Sequence, residues 1–363
     1  MQVYPIPMVP GPVKVPQAVL DAYQVNYGSA DLEPEFFDLY DGCVANLQQV
    51  MATRNDVVIA SGEGMLALWG ALKSCLRPGE RVLAVGTGVF GDGIGDMAAQ
   101  AGAEVRKVSL AYDRTLSDLA DIESAVAEFR PKMITAVHCE TPSGTLNPMA
   151  GLGDLKQAMK VPLLYVDAVS SIGGAPVLAD EWHIDLCLGG SQKCLSSLPD
   201  LSFLSVSDAA WEAIEQVAYA GYDALGPFHR ARQSRFFPYT PNWHGIAALN
   251  AGAGSIVAEG LSSCFSRHES AAAICRDGLE SLGIGLFPAK GAVCSPTVTA
   301  ASVPESLTWA DFDARLRAEG LVVGGSYGPM AEKVFRMGHM GSQADEALVK
   351  QALEVIGKVL MTG

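Results

Sequence analysis

The fold is decided by a stretch that reads Leu163-Leu-Tyr-Val-Asp-Ala-Val-Ser-Ser-Ile-Gly-Gly174, followed by Ile184-Asp-Leu-Cys-Leu-Gly-Gly-Ser-Gln-Lys-Cys-Leu195. Each half begins as a short, continuously apolar run, which predicts a strand of a parallel sheet that is buried on both faces. Each half also delivers one charged residue near the carboxyl end of its strand, Asp167 in the first and Lys193 in the second. Open α/β sheets bind ligands at the carboxyl ends of their strands, so we expect both side chains in one site.

The composition predicts a folded protein with reduced thiols. The 363 residues are 49% hydrophobic, which is enough for a sizeable core and for two domains. Lys+Arg of 25 against Asp+Glu of 40 gives a net charge of -15, which argues against a nucleic-acid or anionic-membrane surface. The eight cysteines form no CxxC pair, so we expect no metal site and a cytoplasmic protein. The sequence shows neither a signal peptide nor a membrane-spanning run.

Strands and helices alternate up to about residue 206, with glycine turns at the strand ends. This pattern predicts an α/β fold with a mostly parallel sheet in a large domain over residues 17–245. The proline-rich residues 1–16 predict an extended arm, and residues 246–363 predict a smaller α+β domain that begins with a helix over 246–282. Capping-box spacing predicts helix starts at Thr115-Leu-Ser-Asp118 and Thr308-Trp-Ala-Asp311.

Asp167 and Lys193 together point to pyridoxal chemistry. A lysine can form an imine with an aldehyde cofactor, and a carboxylate can keep the nitrogen of the pyridine ring protonated. Taken singly, each residue is more often structural, because carboxylates at many strand ends cap the next helix. Their placement at two neighbouring strand ends favours the catalytic interpretation.

Two glycine turns are candidate anion sites. Gly86-Thr-Gly-Val-Phe-Gly91 matches the G-x-G-x-x-G of dinucleotide folds, but the next strand lacks the acidic end residue that binds ribose. A nicotinamide-dependent oxidoreductase is therefore a weak alternative, and Phe90 is either a core residue or a stacking partner for a planar ring. Ser61-Gly-Glu-Gly64 stands before another helix, where backbone N–H groups bind anions unless it is a plain tight turn. Thr141, in the segment after the predicted strand Met133-Ile-Thr-Ala-Val137, is a candidate hydrogen-bond donor over the strand ends, with the same plain-turn alternative.

Arg336 lies in an apolar run, Val334-Phe-Arg-Met-Gly-His-Met-Gly341, that predicts a strand of the second domain. A buried arginine is costly unless it is paired. It therefore either holds a structural carboxylate or binds a substrate carboxylate through its planar fork. His339 in the same run is expected to be structural.

Seven motifs, taken in order, resemble those of the class V aminotransferases of fold type I. They are Pro10-Gly-Pro12, Ser61-Gly-Glu-Gly64, Glu140-Thr-Pro-Ser-Gly144, Val166-Asp-Ala-Val-Ser-Ser171, Ser191-Gln-Lys193, Tyr239-Thr-Pro241 and Arg336-Met-Gly338. The resemblance covers almost the whole chain and includes alanine–glyoxylate (serine–pyruvate) and pyridoxamine–pyruvate aminotransferases. It implies a large domain with a mostly parallel, seven-stranded sheet, a smaller α+β C-terminal domain, pyridoxal 5'-phosphate as the cofactor, and a homodimer with shared active sites.

The resemblance also implies a role for each matching residue. Lys193 would form the imine, Asp167 would pair with the ring nitrogen, and Phe90 would stack on the ring. Thr141 would contact the ring hydroxyl, and Arg336 would bind the substrate carboxylate. Gln192 would contact the phosphate, and Thr240 would be supplied by the neighbouring subunit. The remaining cofactor contacts would be Ser61, Gly62, Glu63, Gly64, Met65 and Val169.

The implied reaction moves an amino group from a small amine or amino acid to pyruvate or glyoxylate. Glu63 stands where many relatives have a small hydroxyl residue, and Phe237 where a tyrosine from the partner subunit is expected. Both changes weaken a phosphate site, which leaves the alternative that unphosphorylated pyridoxal or pyridoxamine is a substrate. That activity is associated with an additional arginine, for which this chain has Gly324-Gly-Ser-Tyr-Gly328. A class V desulfurase or lyase is less favoured, because Phe90 replaces its ring-stacking histidine.

Overall fold

The computed structural model describes residues 3–361. Its strands are β1 (Ile6–Pro7), β2 (Asp56–Ser61), β3 (Arg81–Gly86), β4 (Glu104–Ser109), β5 (Met133–Val137), β6 (Cys139–Glu140), β7 (Thr145–Leu146), β8 (Leu163–Asp167), β9 (Leu186–Gly190), β10 (Leu201–Val206), β11 (Val298–Ser302), β12 (Leu321–Val322), β13 (Gly324–Gly325) and β14 (Val334–Gly338). Its helices are α1 (Gln17–Tyr23), α2 (Pro34–Val50), α3 (Gly64–Cys75), α4 (Val89–Gln100), α5 (Ala120–Phe129), α6 (Ala150–Ala158), α7 (Asp208–Val217), α8 (Ala231–Ser234), α9 (Trp243–Glu259), α10 (Leu261–Ser281), α11 (Trp309–Ala318) and α12 (Glu346–Met361).

Seven strands form the main sheet in the order β2-β10-β9-β8-β5-β3-β4. The strands from β9 to β4 in that order run parallel to one another, and β10 is antiparallel to both of its neighbours. All residues of β5, β9 and β10 are buried, because helices cover the sheet and its strands are apolar without alternation. The expected α/β fold with a mostly parallel, seven-stranded sheet is confirmed.

The register of the parallel strands brings their carboxyl ends into line. Asp167, the last residue of β8, pairs with Val137 at the end of β5 and with Leu188 in β9. On the other side of β9, Gly189 pairs with Phe203, whose ring fills the space that a Cβ at Gly189 would occupy. The turns that follow β3, β5, β8 and β9 therefore meet at one edge of a closely packed sheet.

Two hydrophobic cores divide the chain. The first joins the seven-stranded sheet to its surrounding helices and draws on residues from Ala30 to Cys264. The second draws on the start of the chain and on residues from Ala271 to Val359, around the antiparallel sheet β11-β14-β13. Because β1 pairs in parallel with β12, the N-terminal arm joins the second core. The expected border between residues 245 and 246 falls inside α9, which packs in the first core.

The single helix that was expected over 246–282 is two helices. Gly260 separates α9 from α10 with a φ of +84°. This left-handed backbone region is open to glycine and strained for other residues, so the chain changes direction there. The change from the first core to the second then takes place along α10.

The two expected capping boxes have different outcomes. Thr308 is the N-cap of α11, and its hydroxyl accepts a hydrogen bond from Asp311 N at 3.1 Å, as the spacing predicted. The helix predicted after Thr115 instead begins at Ala120 without a side-chain cap. The Thr115 hydroxyl accepts from Val293 N at 3.2 Å, so a distant segment takes the bond that the local pattern assigned to the helix.

Within residues 3–361, no helix is long and apolar enough to cross a membrane. The same residues contain no group of three or more His, Cys, Asp or Glu side chains that is placed to hold a metal ion. All eight cysteines are free thiols, and seven of them are buried.

Candidate active site

A cavity of about 210 Å³ opens at the carboxyl edge of the sheet. Residues from the turns after β2, β3, β5, β8 and β9 line it, together with two leucines, and the full lining is Glu63, Gly64, Met65, Leu68, Phe90, Cys139, Thr141, Asp167, Val169, Ser170, Leu188, Gln192 and Lys193. Most of the residues expected in the site are therefore brought together. The expected residues outside the lining are Ser61, Gly62, Thr240 and Arg336.

The loop after β9 is held closed by its own hydrogen bonds. Ser197 N donates to Ser191 O at 2.9 Å, and Ser196 N donates to Lys193 O at 2.9 Å. The Ser191 hydroxyl donates to Leu201 O at 2.8 Å, which ties the loop to the start of β10. Lys193 is thus presented to the cavity from a rigid turn.

The N-terminal arm crosses over Lys193. Lys193 Nζ donates to Pro10 O at 2.5 Å. Gly11 has a φ of +86°, and a Cβ at this position would strike the lysine side chain, so only glycine fits. Burial, and after it the charge of Arg336, lowers the pKa of Lys193. A lowered pKa raises the share of neutral amine, which is the form that attacks an aldehyde.

The Asp167 carboxylate has one oxygen engaged and one open to the cavity. Val169 N donates to Oδ1 at 2.9 Å, whereas Oδ2 receives no hydrogen bond from the part of the chain that the structure describes. Burial raises the pKa of Asp167 to about 6, against the lowering effects of Val169 N and the Lys193 charge. A cation next to Oδ2, such as a protonated ring nitrogen, would favour the ionised carboxylate and oppose this shift.

The first turn of α3 is only partly available to an anion. Gly64 N has no hydrogen-bond partner among residues 3–361, whereas Met65 N donates to Glu63 Oε1 at 3.2 Å. Glu63 is exposed and serves as the N-cap, satisfying an N–H group that the helix itself cannot pair. Gly62 N donates to Asp200 O at 2.7 Å, so Gly62 shapes the turn through its φ of +111° while its amide is already used.

Polar side chains on the other walls are positioned to receive a ligand. Thr141 Oγ1 and Ser170 Oγ lie 2.5 Å apart, and both residues are buried. Gln192 Oε1 is buried without a hydrogen-bond partner among residues 3–361. Because a buried polar atom without a partner is costly, this wall of the cavity favours a ligand that pairs with the Gln192 amide.

Arg336 is buried in β14, as its apolar run predicted. Its Nε donates to Gly325 O at 2.7 Å, and the Tyr327 ring covers the guanidinium with its centroid 4.6 Å from Cζ. No carboxylate of residues 3–361 forms an ion pair with Arg336. A structural ion pair therefore does not explain its burial. His339, in the same run, is structural as expected, with Thr299 Oγ1 at 2.8 Å from Nε2.

Phe237 and Thr240 lie outside their own chain's cavity. Phe237 is buried and packs against the rings of Phe36 and Tyr40, with centroids 5.7 and 4.9 Å away, so it is a core residue of its own chain. Thr240 is exposed, and its hydroxyl donates to Asp31 Oδ2 at 3.1 Å. Its contribution to a neighbouring subunit stays a prediction.

Besides Leu68 and Leu188, three residues at or near the cavity were not predicted from the sequence: Cys139, Ser170 and Glu140. Ser170 stands in the same strand-end motif as Asp167, and a hydroxyl in such a turn was the available signal. Glu140 accepts hydrogen bonds from the first turn of α4. The G-x-G-x-x-G turn therefore already binds a carboxylate of this chain through the amides that a pyrophosphate would use, which disfavours the nicotinamide alternative.

The raised pKa of Asp167 predicts a pH-dependent stability of the cofactor-free protein. A carboxyl group whose pKa is higher in the folded state than in the unfolded state stabilises the fold at pH values below its unfolded-state pKa. This contribution is lost as the pH rises through the folded-state pKa of about 6. Asp167→Asn should therefore raise the free energy of unfolding relative to the wild type at pH 7.5, by about 2 to 3 kcal/mol more than at pH 4. Urea unfolding at both pH values measures this difference. Asp38→Asn on the exposed face of α2 is the control, and an equal pH response of both variants would contradict the assignment.

Known aminotransferases resemble the whole chain. The family described as Aminotransferase class-V matches residues 9–336. An uncharacterized aminotransferase of Methanocaldococcus jannaschii is 33% identical over 96% of this chain and 93% of its own length. The crystal structure of alanine–glyoxylate aminotransferase from Nostoc sp. gives a TM-score of 0.93 at 30% identity and covers 99% of this chain and 98% of that chain. The crystal structure of pyridoxamine–pyruvate aminotransferase from Mesorhizobium loti gives a TM-score of 0.94 at 28% identity and covers 99% of this chain and 93% of that chain.

The sequence match, the fold and the cavity lead to the same assignment. The match extends from the N-terminal arm to β14, and the similar solved structures cover nearly the whole chain. The cavity, at the strand ends, contains a lysine and an aspartate that suit a pyridoxal cofactor. The chain belongs to the class V aminotransferases, a family of pyridoxal-phosphate-dependent enzymes of fold type I.

Proposed function

We propose that this aminotransferase moves amino groups from small amines or amino acids to pyruvate or glyoxylate, with Lys193 and Asp167 as its catalytic residues. The observation that carries the proposal is that Lys193 and Asp167 line one cavity together with Phe90. Relatives named for alanine with glyoxylate, and for pyridoxamine with pyruvate, support the choice of acceptor. Phe90, rather than a histidine, at the position for ring stacking favours transfer over desulfuration.

The residues of the cavity fit pyridoxal 5'-phosphate. The unpaired Oδ2 of Asp167 suits a protonated ring nitrogen, and the Thr141–Ser170 hydroxyl pair suits the ring hydroxyl. The free Gly64 N suits a phosphate group, to which it can donate. Gln192 would donate to the phosphate through its Nε2, since its unpartnered Oε1 can only accept a hydrogen bond. Phe90, which is 37% exposed, offers a ring face to the cavity. Ser61, Gly62, Met65 and Val169 support these contacts through the backbone of the two turns.

The protein groups would act as follows. When bound, the cofactor supplies an electron sink for the bond that breaks at the substrate carbon. Lys193 Nζ, which is neutral more often than an exposed lysine because of its lowered pKa, accepts a proton and returns it as general base and acid. The Asp167 charge keeps the ring nitrogen protonated. The loop from Ser191 to Ser197 keeps Lys193 in place during both transfers.

Arg336 would bind the carboxylate of the amino donor and of the oxo acid. Its guanidinium is buried, is held at one side by Gly325 O, and carries no ion pair with the described residues. Burial lowers the pKa of Arg336, which reflects a cation without a countercharge. A carboxylate that accepts two parallel N–H bonds would relieve this cost.

A homodimer would complete the site. The exposed apolar residues Leu32, Tyr222 and Phe236 belong to three loops. The loops touch one another, since Thr240 bonds to Asp31 and the Tyr222 ring stacks on Tyr239 at 4.7 Å. An exposed apolar surface of this kind marks a site of protein association. Docked on a second copy, it would bring Thr240 to the partner's phosphate site.

The acidic surface and the free thiols support a cytoplasmic enzyme that binds neither nucleic acid nor membranes. The net charge of -15 repels polyanions, and eight free cysteines fit a reducing compartment. The partners are therefore small molecules, an amino donor and an oxo acid, and a second copy of this chain.

Lys193→Ala should abolish amino transfer and the adduct that borohydride traps on the protein. The covalent bond to the cofactor requires an amine, and alanine offers none. Peptide mapping of the trapped wild type should place the adduct on Lys193, and the exposed Lys290→Ala variant should keep both activity and adduct. An adduct that persists in Lys193→Ala with an intact fold would assign the role to another lysine.

Arg336→Lys should weaken the binding of oxo acids by about tenfold to a hundredfold, because lysine lacks the planar fork. Amines without a carboxylate should react at a rate close to that of the wild type in single-turnover measurements. Tyr327→Phe, which keeps a ring over the guanidinium, is the matched control and should change little. Equal losses for substrates with and without a carboxylate would show that Arg336 is structural.

Glu63 favours a second candidate function, in which unphosphorylated pyridoxamine is a substrate. Its carboxylate accepts the hydrogen bond of Met65 N, an amide that a phosphate would otherwise use. A carboxylate about 4 Å from a phosphate charge costs about 1 kcal/mol per charge pair in water, and the exposure of Glu63 makes this limit the relevant one. An exposed side chain can also turn outward, which keeps the phosphate-bound enzyme as the leading candidate.

Titration of the cofactor-free protein with pyridoxal and with its phosphate separates the two candidates. We expect the wild type to prefer the phosphate, and Glu63→Ser to raise the affinity for the phosphate by about fivefold per charge pair without affecting pyridoxal. Glu63→Gln, which keeps the size and removes the charge, is the control for shape. A wild type that binds pyridoxal at least as tightly as the phosphate would favour the second candidate.

A further inference from the structure

A buried carboxylate without a role in the proposed reaction lies at the edge of the cavity. Glu140 is completely buried, ends the short strand β6 and directly precedes Thr141. Gly91 N donates to its Oε1 at 2.6 Å, and Phe90 N donates to its Oε2 at 3.2 Å. One side chain thus ties the strand-end turn that carries Thr141 to the helix start that carries Phe90.

Helix α4 depends on this carboxylate because it has no cap of its own. Its N-cap residue is Gly88, which offers no side-chain hydrogen bond. The first N–H groups of a helix have no partner within the helix, and a negative charge is favoured there by the helix dipole. Hydrogen bonds from an amide to an ionised carboxylate are also shorter and stronger than neutral ones. Glu140 meets each of these requirements from a distant part of the chain.

The glycines around Phe90 make room for Glu140. A Cβ at Gly88 would overlap the carboxyl group of Glu140, and a Cβ at Gly91 would lie 3.1 Å from its Oε1. Gly88 has a φ of -177°, which any residue adopts, so space and not backbone conformation calls for glycine. The second and third glycines of the pattern that resembles a dinucleotide turn are therefore explained by the space that Glu140 occupies.

We infer that Glu140 is a positioning residue: it fixes the backbone of Phe90 relative to Thr141, and so sets how the ring-stacking face and the hydroxyl contact meet the cofactor. The inference rests on the proposed roles of Phe90 and Thr141. A cap that served stability alone would not need to join these two neighbouring segments of one cavity. Loss of the two bonds should change the orientation of the bound cofactor as well as the stability of the fold.

The charge state of Glu140 adds a second consequence. Burial raises the pKa of Glu140 to about 7, and the charges of Asp167 and Asp92 also raise it. The two amide donors lower the pKa but do not offset this effect. These two carboxylates, on β8 and α4, are the acidic groups that face it, and Asp92 is itself engaged by Tyr112 Oη at 2.6 Å. The ionised form accepts both amide bonds, whereas the protonated form has a hydroxyl facing one N–H donor. The first turn of α4 should therefore become less protected below about pH 7.

Glu140→Gln tests the inference, because it keeps the size and one acceptor oxygen and removes the other. In the cofactor-free protein, amide hydrogen exchange over residues 88–93 should accelerate and lose the pH dependence seen in the wild type after correction for intrinsic rates. The affinity for pyridoxal 5'-phosphate should fall by about tenfold, and the induced circular dichroism of the bound cofactor should change. The adduct on Lys193 should still form, which separates a failure here from a failure of the proposed function.

Two further variants make the outcome decisive. Asp185 is another buried carboxylate, at the amino edge of the sheet, and accepts a hydrogen bond from Leu164 N at 2.7 Å. Asp185→Asn should reduce stability without affecting cofactor affinity or dichroism. Gly88→Ala keeps the charge of Glu140 but displaces it, and should reproduce the effects of Glu140→Gln even if that variant does not fold. If Gly88→Ala and Glu140→Gln behave like Asp185→Asn, Glu140 is a structural cap only and the inference is overturned.

Discussion

The structure depends on the placement of two opposite charges in one buried cavity. Asp167 ends β8, and Lys193 follows β9, and the parallel register of these strands brings both to the same edge of the sheet. Burial opposes charge in each case, raising the pKa of the aspartate and lowering that of the lysine. The burial of these two charges is therefore costly in free energy, and a ligand that carries a ring cation and an aldehyde would offset this cost at both residues.

The first turns of α3 and α4 show how similar local sequences acquire different functions. Each turn follows a strand and contains glycine. In each, a carboxylate accepts a hydrogen bond from an N–H group of the helix start: Glu63 accepts from α3, and Glu140 accepts from α4. Glu63 is exposed and belongs to the turn itself, so it can leave and admit an anion. Glu140 is buried and reaches across from another strand, so it stays. The first amides of α4 are thus occupied by Glu140, whereas the turn at α3 is the one proposed to receive the phosphate.

The second core takes part in the site through two connections. The N-terminal arm joins that core through β1, and then reaches Lys193 through Pro10 O. Arg336 comes from β14 of the same core, and its charge also contributes to the lowered pKa of Lys193. A movement of the second core relative to the first would therefore be felt at the lysine and at the proposed carboxylate site together.

The sequence by itself determined the seven strands of the main sheet and the two charged residues near their carboxyl ends, because apolar runs and glycine turns are local signals. It therefore predicted the sheet, and that Asp167 and Lys193 share one edge of it. Tertiary structure alone decided where side chains from distant segments meet. Thr115 bonds to Val293 in place of a helix start, and Glu140 takes the amides of α4. Such pairings join segments far apart in the chain, and no local pattern records which buried carboxylate will reach which unpaired N–H group.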